Sequence, residues 1–397
     1  MKNIKVIYMK ELKDMLRDRR TLVFLILFPL LFVPLLVAGL PKLISNISDK
    51  NLNETLTLAV VGEEYAPDLI KKYRETENLI IVTDVPFDSI TYKISNESID
   101  GAVVINESFQ DDLEKMIPTR IDLYYHSSDE LDAKKKRFEK ILSGYSESVK
   151  LARYDKLKID KQIFDPLDIN HNNIASQKER IGKSAGGWLP YLFILYCFMG
   201  AMYPALDLGA GEKERKTLET ILVSPASRLQ ILIGKFGVVV TFGLLSAMMG
   251  IVGLSIGINS MDVLPEDIFN VIKDMVDFKT ISIILTLIIP VAIFFAAILL
   301  SISFYGRTFK ESQSLVAPLN IVIIIPAIVG TIPGIQLTAI TAAIPIVNIS
   351  LATKEIIAGT IKIPLLFEVY FSLLILASLA IFLAVRIIKN ENVIFRG

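Results

Sequence analysis

Residues 281–305 read ISIILTLIIPVAIFFAAILLSISFY, with no charged side chain anywhere in the run. A helix rises 1.5 Å per residue, so about 20 such residues cross a hydrocarbon core of about 30 Å. This stretch therefore belongs in a membrane. Five more pass the same test: Thr21–Leu40, Leu189–Leu208, Ile231–Ile256, Leu315–Ile332 and Leu365–Ile388. Pro29, Pro34, Pro290, Pro318 and Pro326 fall inside them, which membrane helices tolerate where neighbours re-satisfy the backbone. A cleavable signal peptide fits the first stretch poorly. Its apolar core exceeds the usual h-region of about 7–15 residues and no A-x-A-like site follows, so a signal-anchor is expected.

The whole chain agrees with a membrane class: 52% of residues are hydrophobic and the mean hydropathy is +0.51, high for a soluble protein. Zero net charge hides a division. Residues 41–183 hold 21 basic and 26 acidic side chains, leaving 21 basic and 16 acidic for the rest. Cys197 is the single cysteine, so the polar segment has no disulfide and must fold on its own core, which about 140 residues can supply.

Lys and Arg in short loops set orientation. Lys2, Lys5, Lys10, Lys13, Arg17, Arg19 and Arg20 place the N-terminus in the cytoplasm; Lys213, Arg215, Lys216 and Arg228 do the same for 209–230. Arg307 and Lys310 mark the next inner loop, and Arg386, Lys389 and Arg396 a cytoplasmic tail over 389–397. The expected fold is thus a polytopic α-helical membrane protein with six transmembrane helices. Residues 41–188 form a large mixed α/β extracytoplasmic domain between helices one and two, and 189–388 the five-helix remainder. Residues 1–20, with Ile4, Ile7, Tyr8, Leu12, Met15 and Leu16 at helical spacing, read as an amphipathic helix in the inner interface. Ile335–Thr353 is apolar but softened by Gln336, Asn348 and Ser350 and broken by Pro345; a re-entrant helical pair is expected there, a seventh span being the alternative. In the external segment, Thr55–Val61, Leu79–Thr83, Gly101–Ile105 and Arg120–Tyr125 read as strands, and Ala66–Glu77, Ser108–Met116 and Glu130–Lys158 as helices.

No enzyme site is visible. Gly182-Lys183-Ser184 is the nearest approach to a phosphate loop, but Gln177 stands where the required glycine would be and no strand precedes it. His126 and His171 have no ligand spacing. No nucleic-acid partner is expected.

The first inner loop stands out: Gly211-Glu212-Lys213-Glu214-Arg215-Lys216-Thr217-Leu218-Glu219-Thr220-Ile221-Leu222-Val223-Ser224-Pro225-Ala226-Ser227-Arg228. Glu212–Lys216 and Arg215–Glu219 are i,i+4 pairs, and Leu218, Ile221 and Leu222 make a small apolar face, so a short charged helix ending before Pro225 is expected. It is either a connector held by its own ion pairs or a protruding helix that fits a cleft on a partner.

This stretch resembles the coupling-helix signature of type-2 ABC-transporter permeases, roughly E-(K/R)-E-R-x-T-(L/I)-E-x-L-L-(V/A/T)-(S/T)-P-x-(S/T)-R. Lys10-Glu11-Leu12-Lys13-Asp14 and Arg17-Asp18-Arg19-Arg20-Thr21 resemble the elbow that opens the same family. A large domain between spans one and two resembles its NatB-like, sodium-extrusion branch, which works beside a separate NatA-like ATPase. Lys216 occupies a position often held by glycine there, a change expected to stiffen the helix.

The resemblance implies a permease subunit of an ATP-driven exporter, paired with a second permease chain as homo- or heterodimer. ATP and Mg would be bound by the partner ATPase and no cofactor by this chain. Carried over position by position, Glu212, Glu214, Arg215, Glu219, Ser224, Pro225 and Arg228 are the implied ATPase-coupling residues. The spans contain almost no acidic residue, only Asp207 and Glu368 near their ends. A sodium path would then use oxygens such as those of Thr241, Ser246 and Asn320, groups that equally serve as helix–helix glue worth about 1 kcal/mol each. Export of lipid, peptide or antibiotic is the alternative on the same fold. A non-transporting sensor with an external ligand-binding domain is the alternative from another class, and the five helices after the domain argue against it, since an anchor needs only one or two.

Overall fold

The computed structural model describes residues 2–43, 45–46, 54–126, 133–160, 172–261 and 266–389; nearly all of the expected tail over 389–397, with Arg396, lies outside them. The chain divides into two compact units, Met1–Lys42 with Asn173–Gly397, and Leu43–Asn172.

Helix α1 (Lys2–Arg17) leads into α2 (residues 19–43), which is α-helical except for two π turns at Val23–Leu27 and Leu35–Gly39. Proline causes the first. Pro29 has no N–H to give and its ring crowds the preceding turn, and the chain widens just before it, Phe28 N–H reaching back to Val23 O. The second follows Pro34, with Leu40 N–H on Leu35 O.

The Leu43–Asn172 unit is built on a four-stranded sheet in the order β2-β1-β3-β4. Its elements run β1 (Leu56–Val61), α3 (Pro67–Arg74), β2 (Leu79–Val82), α4 (Ile90–Ser95), β3 (Gly101–Ile105), α5 (Phe109–Glu114), β4 (Ile121–Tyr125) and α6 (Ala133–Leu157). β1 pairs parallel with β2 and β3, while β4 runs antiparallel to β3. The strand period of two sorts the side chains. Leu56, Leu58, Val60 and Val103 face Leu69, Tyr73, Phe109 and Phe138 of α3, α5 and α6; Ala59 and Ala102 face Ile90 and Ile94 of α4. Helix α4, short and only weakly periodic, was absent from the sequence expectation.

The helical unit continues with α7 (Gln177–Ala185), α8 (Trp188–Glu214), α9 (Thr217–Leu222), α10 (Arg228–Asn259), α11 (Glu266–Met275), α12 (Phe278–Tyr305), α13 (Phe309–Ile328), α14 (Ala339–Ala343), α15 (Val347–Ala358) and α16 (Ile363–Lys389). Six of these helices are long and apolar enough to cross a membrane: α2, α8, α10, α12, α13 and α16. They fall into two groups. The apolar windows of α8, α10 and α12 are 61%, 56% and 61% buried, those of α2, α13 and α16 only 17%, 22% and 22%. The first three thus form the core, where Phe198 meets Phe295 edge-on at 5.2 Å. The other three leave most of their apolar surface to lipid or to a neighbouring chain.

Close contact in the core rests on small residues, as membrane packing requires. A Cβ on Gly200 of α8 would stand 2.5 Å from Cβ of Ser246 on α10. One turn apart, Gly253 and Gly257 of α10 would meet the backbone of Pro29 and Pro34 at 2.9 Å each. The polar stretch near residue 340 makes two helices, α14 and α15, of 5 and 12 residues, and neither is long enough to span. Ile346 links them at φ +70°, an outlying conformation for a β-branched residue. Buried Asn348 and Ser350 tie α15 to Ala342 O (2.9 Å) and Ala327 O (2.6 Å).

Candidate functional site

Span α8 does not stop where its apolar run ends. It widens into a π turn over Asp207–Gly211, Glu212 N–H donating to Asp207 O, and continues to Glu214. The widening has a visible cause. Ser303 of α12, fully buried, inserts its hydroxyl into the ladder, accepting from Ala210 N–H at 2.8 Å and donating to Leu206 O at 3.2 Å.

The single charged helix expected over this loop is broken in two. Lys216 adopts the left-handed conformation, φ +59° and ψ 18°, between Glu214 and the start of α9. Glu212–Lys216 and Arg215–Glu219 therefore do not lie on one helix face, and neither pair forms. The break also corrects the reading of position 216. Glycine suits this position because left-handed backbone costs an L-residue about 1–2 kcal/mol, so lysine here strains a turn rather than stiffening a helix.

Tertiary partners take up the charges instead. Lys213 Nζ donates to Phe304 O at the end of α12. Glu214 Oε2 accepts from Phe309 N–H, 2.8 Å, at the start of α13, where the helix dipole favours an anion. Arg215 pairs with Asp207 at 2.7 Å. Lys213 and Glu214 thus clasp the α12–α13 connection, while Arg215 closes back onto α8.

Glu212 turns inward. Only 4% exposed, it pairs with Lys235 of α10, which is fully buried and also reaches Glu11 of α1 at 3.4 Å. Glu11 is itself 2% exposed and bound from outside by Lys10 at 3.1 Å. Burial works against the Lys10 ammonium, but Glu11, then Glu212 and Asp14, outweigh it and hold its pKa above the ordinary lysine value. Two carboxylates and two ammonium groups therefore join α1, α8 and α10 with no net charge. The second oxygen of Glu212, Oε2, is buried without a hydrogen-bond partner, so charge more than directional bonding holds it. Around the cluster, Ile7 packs where a Cβ on Gly234 would come within 2.7 Å, and Tyr8 OH meets Thr241 Oγ1 at 3.0 Å.

Sequence reasoning missed Lys235 and Glu11. Both carried a signal: a lone lysine inside the apolar run Ile231–Ile256, and a carboxylate inside the apolar stripe of α1. An intramembrane charge demands a partner.

The far side of the loop is open. Leu218 is 5% exposed and anchors α9, while Glu219, Thr220, Val223, Ser224, Pro225 and Arg228 are exposed. Val223 is 87% exposed, an apolar side chain that no described residue covers. Helix α9 ends at Leu222, before Pro225, and Ser227 opens α10 with a capping box to Gln230. Glu219, Ser224, Pro225 and Arg228 thus lie on one exposed rim, Glu214 and Arg215 at its base, and Glu212 inside.

The structure does not bring Thr241, Ser246 and Asn320 together. Thr241 bonds Tyr8 and its own helix at Gly237 O, Ser246 packs on Gly200, and Asn320 Nδ2 donates to Ala317 O at 3.3 Å. Gly182, in the weak phosphate-loop match, sits inside α7 and packs against Ala358, where a Cβ would be 2.6 Å from its Cα.

Residues 19–388 match the family described as "ABC-2 family transporter protein". The chain is 27% identical over 361 residues to the "ABC transporter permease protein NatB" of Bacillus subtilis (strain 168), covering 89% of this chain and 90% of that protein. No solved structure matches it. Six candidate spans among the described residues and a family match over nearly the whole chain make this protein a member of the ABC-2 transporter family, a multi-pass membrane permease subunit of the kind that works with an ATPase subunit.

Proposed function

We propose that this permease exports sodium ions, driven by a separate NatA-like ATPase that docks on the rim formed by α9 and residues 223–228. One observation carries the docking: an exposed rim, with Val223 uncovered, is fixed from behind by the buried Glu11–Lys235–Glu212 cluster and by the clasp of Lys213 and Glu214 on the α12–α13 connection. A push on the rim is therefore delivered to α1, α10, α12 and α13 together. Sodium as cargo rests on the resemblance to the NatB-like branch. The distribution of Lys and Arg supports a rim and both termini in the cytoplasm and residues 41–188 outside. The exposed apolar faces of α2, α13 and α16 leave room for a second permease chain.

The test is Glu219→Lys with Val223→Asp, two exposed changes that touch no span. A lysine at 219 meets a cleft that takes a carboxylate, and like charges across an interface cost several kcal/mol; a carboxylate at 223 would be buried in an apolar contact without a partner. Co-purification of the ATPase subunit should therefore fall sharply, the effect at 219 most of all at low salt. Sodium flux into proteoliposomes should fall with it. Unchanged recovery and flux would sink the docking assignment. A wild-type complex that hydrolyses ATP without moving sodium would sink the cargo and leave the docking intact.

A further inference from the structure

Glu368 is the one acidic residue of α16, and it stands beside hydrocarbon. A groove of about 390 Å³ runs along the face of this span next to α14. Glu368, Phe371, Ser372, Ile375, Leu376 and Leu379 line it from α16, the i, i+3, i+4 repeat of a single helix stripe. Ala343 and Pro345 line it from the α14 side, and Ser372 Oγ, donating to Ala343 O at 3.0 Å, ties the two sides together. Phe371, Ile375 and Leu379 are exposed. The groove therefore opens on the surface of the helical unit, where α16 leaves most of its apolar side chains uncovered.

Its chemistry is graded from end to end. A carboxylate stands at one end, and apolar side chains with one hydroxyl already in use follow it. Glu368 is the sixth residue of α16, about 7 Å from the start of the helix, at the end that the distribution of Lys and Arg assigns to the outside. From Glu368 to Leu379 the helix rises about 16 Å, the depth of one leaflet in a hydrocarbon core of about 30 Å. Glu368 keeps accessible surface, and no described residue gives it a hydrogen bond or an ion pair. An ionised side chain beside hydrocarbon is costly until it is paired. Here the partner has to come from outside the chain, and the open groove lets it approach.

We propose that this groove seats a phospholipid of the outer leaflet whose headgroup carries a primary ammonium. The ammonium donates to Glu368, and one acyl chain lies against Phe371, Ile375, Leu376 and Leu379. Charge selects the headgroup: a carboxylate repels an anionic lipid, and a trimethylated ammonium has no N–H to donate. Length selects the occupant, because a leaflet's depth of apolar wall below one carboxylate suits an acyl chain and not a small soluble cation.

The test uses the full chain in phosphatidylcholine nanodiscs, with a trace of phosphatidylethanolamine or phosphatidylcholine carrying the same diazirine acyl chain. Crosslinks should map to residues 343–345 and 371–379. The ethanolamine probe should label them roughly tenfold more than the choline probe, since hydrogen bonds between charged groups are the stronger class. Glu368→Gln should bring the ethanolamine probe down to the choline level, and Glu368→Asp should keep most of the preference. Ala343→Phe, which fills the groove and leaves the carboxylate in place, should suppress labelling by both probes. Equal labelling by the two probes, a preference that survives Glu368→Gln, or crosslinks that map elsewhere overturns the proposal. So does a disulfide joining two chains through Leu379→Cys with no labelling in the unmodified chain, which gives the groove to a second copy; Cys197 is buried and does not compete in that reaction.

Discussion

Replacing Lys235 with methionine keeps the reach of the side chain and removes its charge. Glu11 and Glu212, 2% and 4% exposed, are then left facing each other with only the half-exposed Lys10, 3.1 Å from Glu11, as counter-ion. At 3.4 Å the Lys235–Glu11 attraction is about 5 kcal/mol at an effective dielectric near 20, and the Glu212 contact adds another of similar order. Much of this offsets desolvation, so loss of the shared partner should cost about 3–5 kcal/mol. The cost falls first on the docking of α1, which the cluster holds to α10. Hydrogen exchange of the purified chain reads it directly: amides of α1 should exchange faster by on the order of a hundred- to a thousandfold. Neutralising all three residues together, Glu11→Gln, Glu212→Gln and Lys235→Met, should restore most of the protection, because no charge is then stranded. If Lys235→Met leaves α1 protected, or the triple variant exchanges as fast as the single one, the three residues are neighbours and not a joint.

Lys216→Gly should stabilise the 212–222 turn by about 1 kcal/mol, the left-handed cost less the extra freedom of glycine in the unfolded chain, seen as slower exchange of that peptide; Lys216→Val should do the reverse. Gly200→Leu should prevent α8 and α10 from closing, since even a Cβ would stand 2.5 Å from Cβ of Ser246, and a lowered thermal midpoint in detergent checks it. Asp277 caps α12 by accepting from Thr280 N–H at 2.8 Å, and hydrogen bonds from the Thr280 side chain and backbone hold its pKa below the ordinary aspartate value. Its contribution is therefore complete above about pH 4 and is lost as pH falls through the depressed value; Asp277→Asn, which can still cap, should flatten that part of the pH–stability profile.

The spans were legible because length and apolarity alone decide them. Residues 281–305 could be nothing else, and the strands of the α/β unit were readable for a similar reason, alternation and turn residues marking Gly101–Ile105 and its neighbours. The loop was harder. Its i,i+4 pairs argued for one helix, and local charge pairing is worth only about 0.2–0.5 kcal/mol per pair. A buried lysine on a distant helix outbids that easily. Glu212 went to Lys235, 23 residues on, and Arg215 to Asp207, so nothing local remained to hold the helix across Lys216. The signal that was available lay outside the loop, in the charge of Lys235 within an apolar run, and it could have told that a partner exists without telling which carboxylate supplies it.

The order of the three charges along the chain bears on biogenesis. Glu11 precedes Lys235 by 224 residues and Glu212 by 23, so both carboxylates have been synthesised before the lysine leaves the ribosome. A lone lysine in an inserting segment costs about 2.5–3.5 kcal/mol at mid-membrane and less toward the end of the span. Helix α10 therefore enters the bilayer with its counter-charges already made, and the polypeptide need never carry Lys235 unaccompanied. A chain with these helices permuted, so that α10 emerged first, would have to insert the same residues without that help.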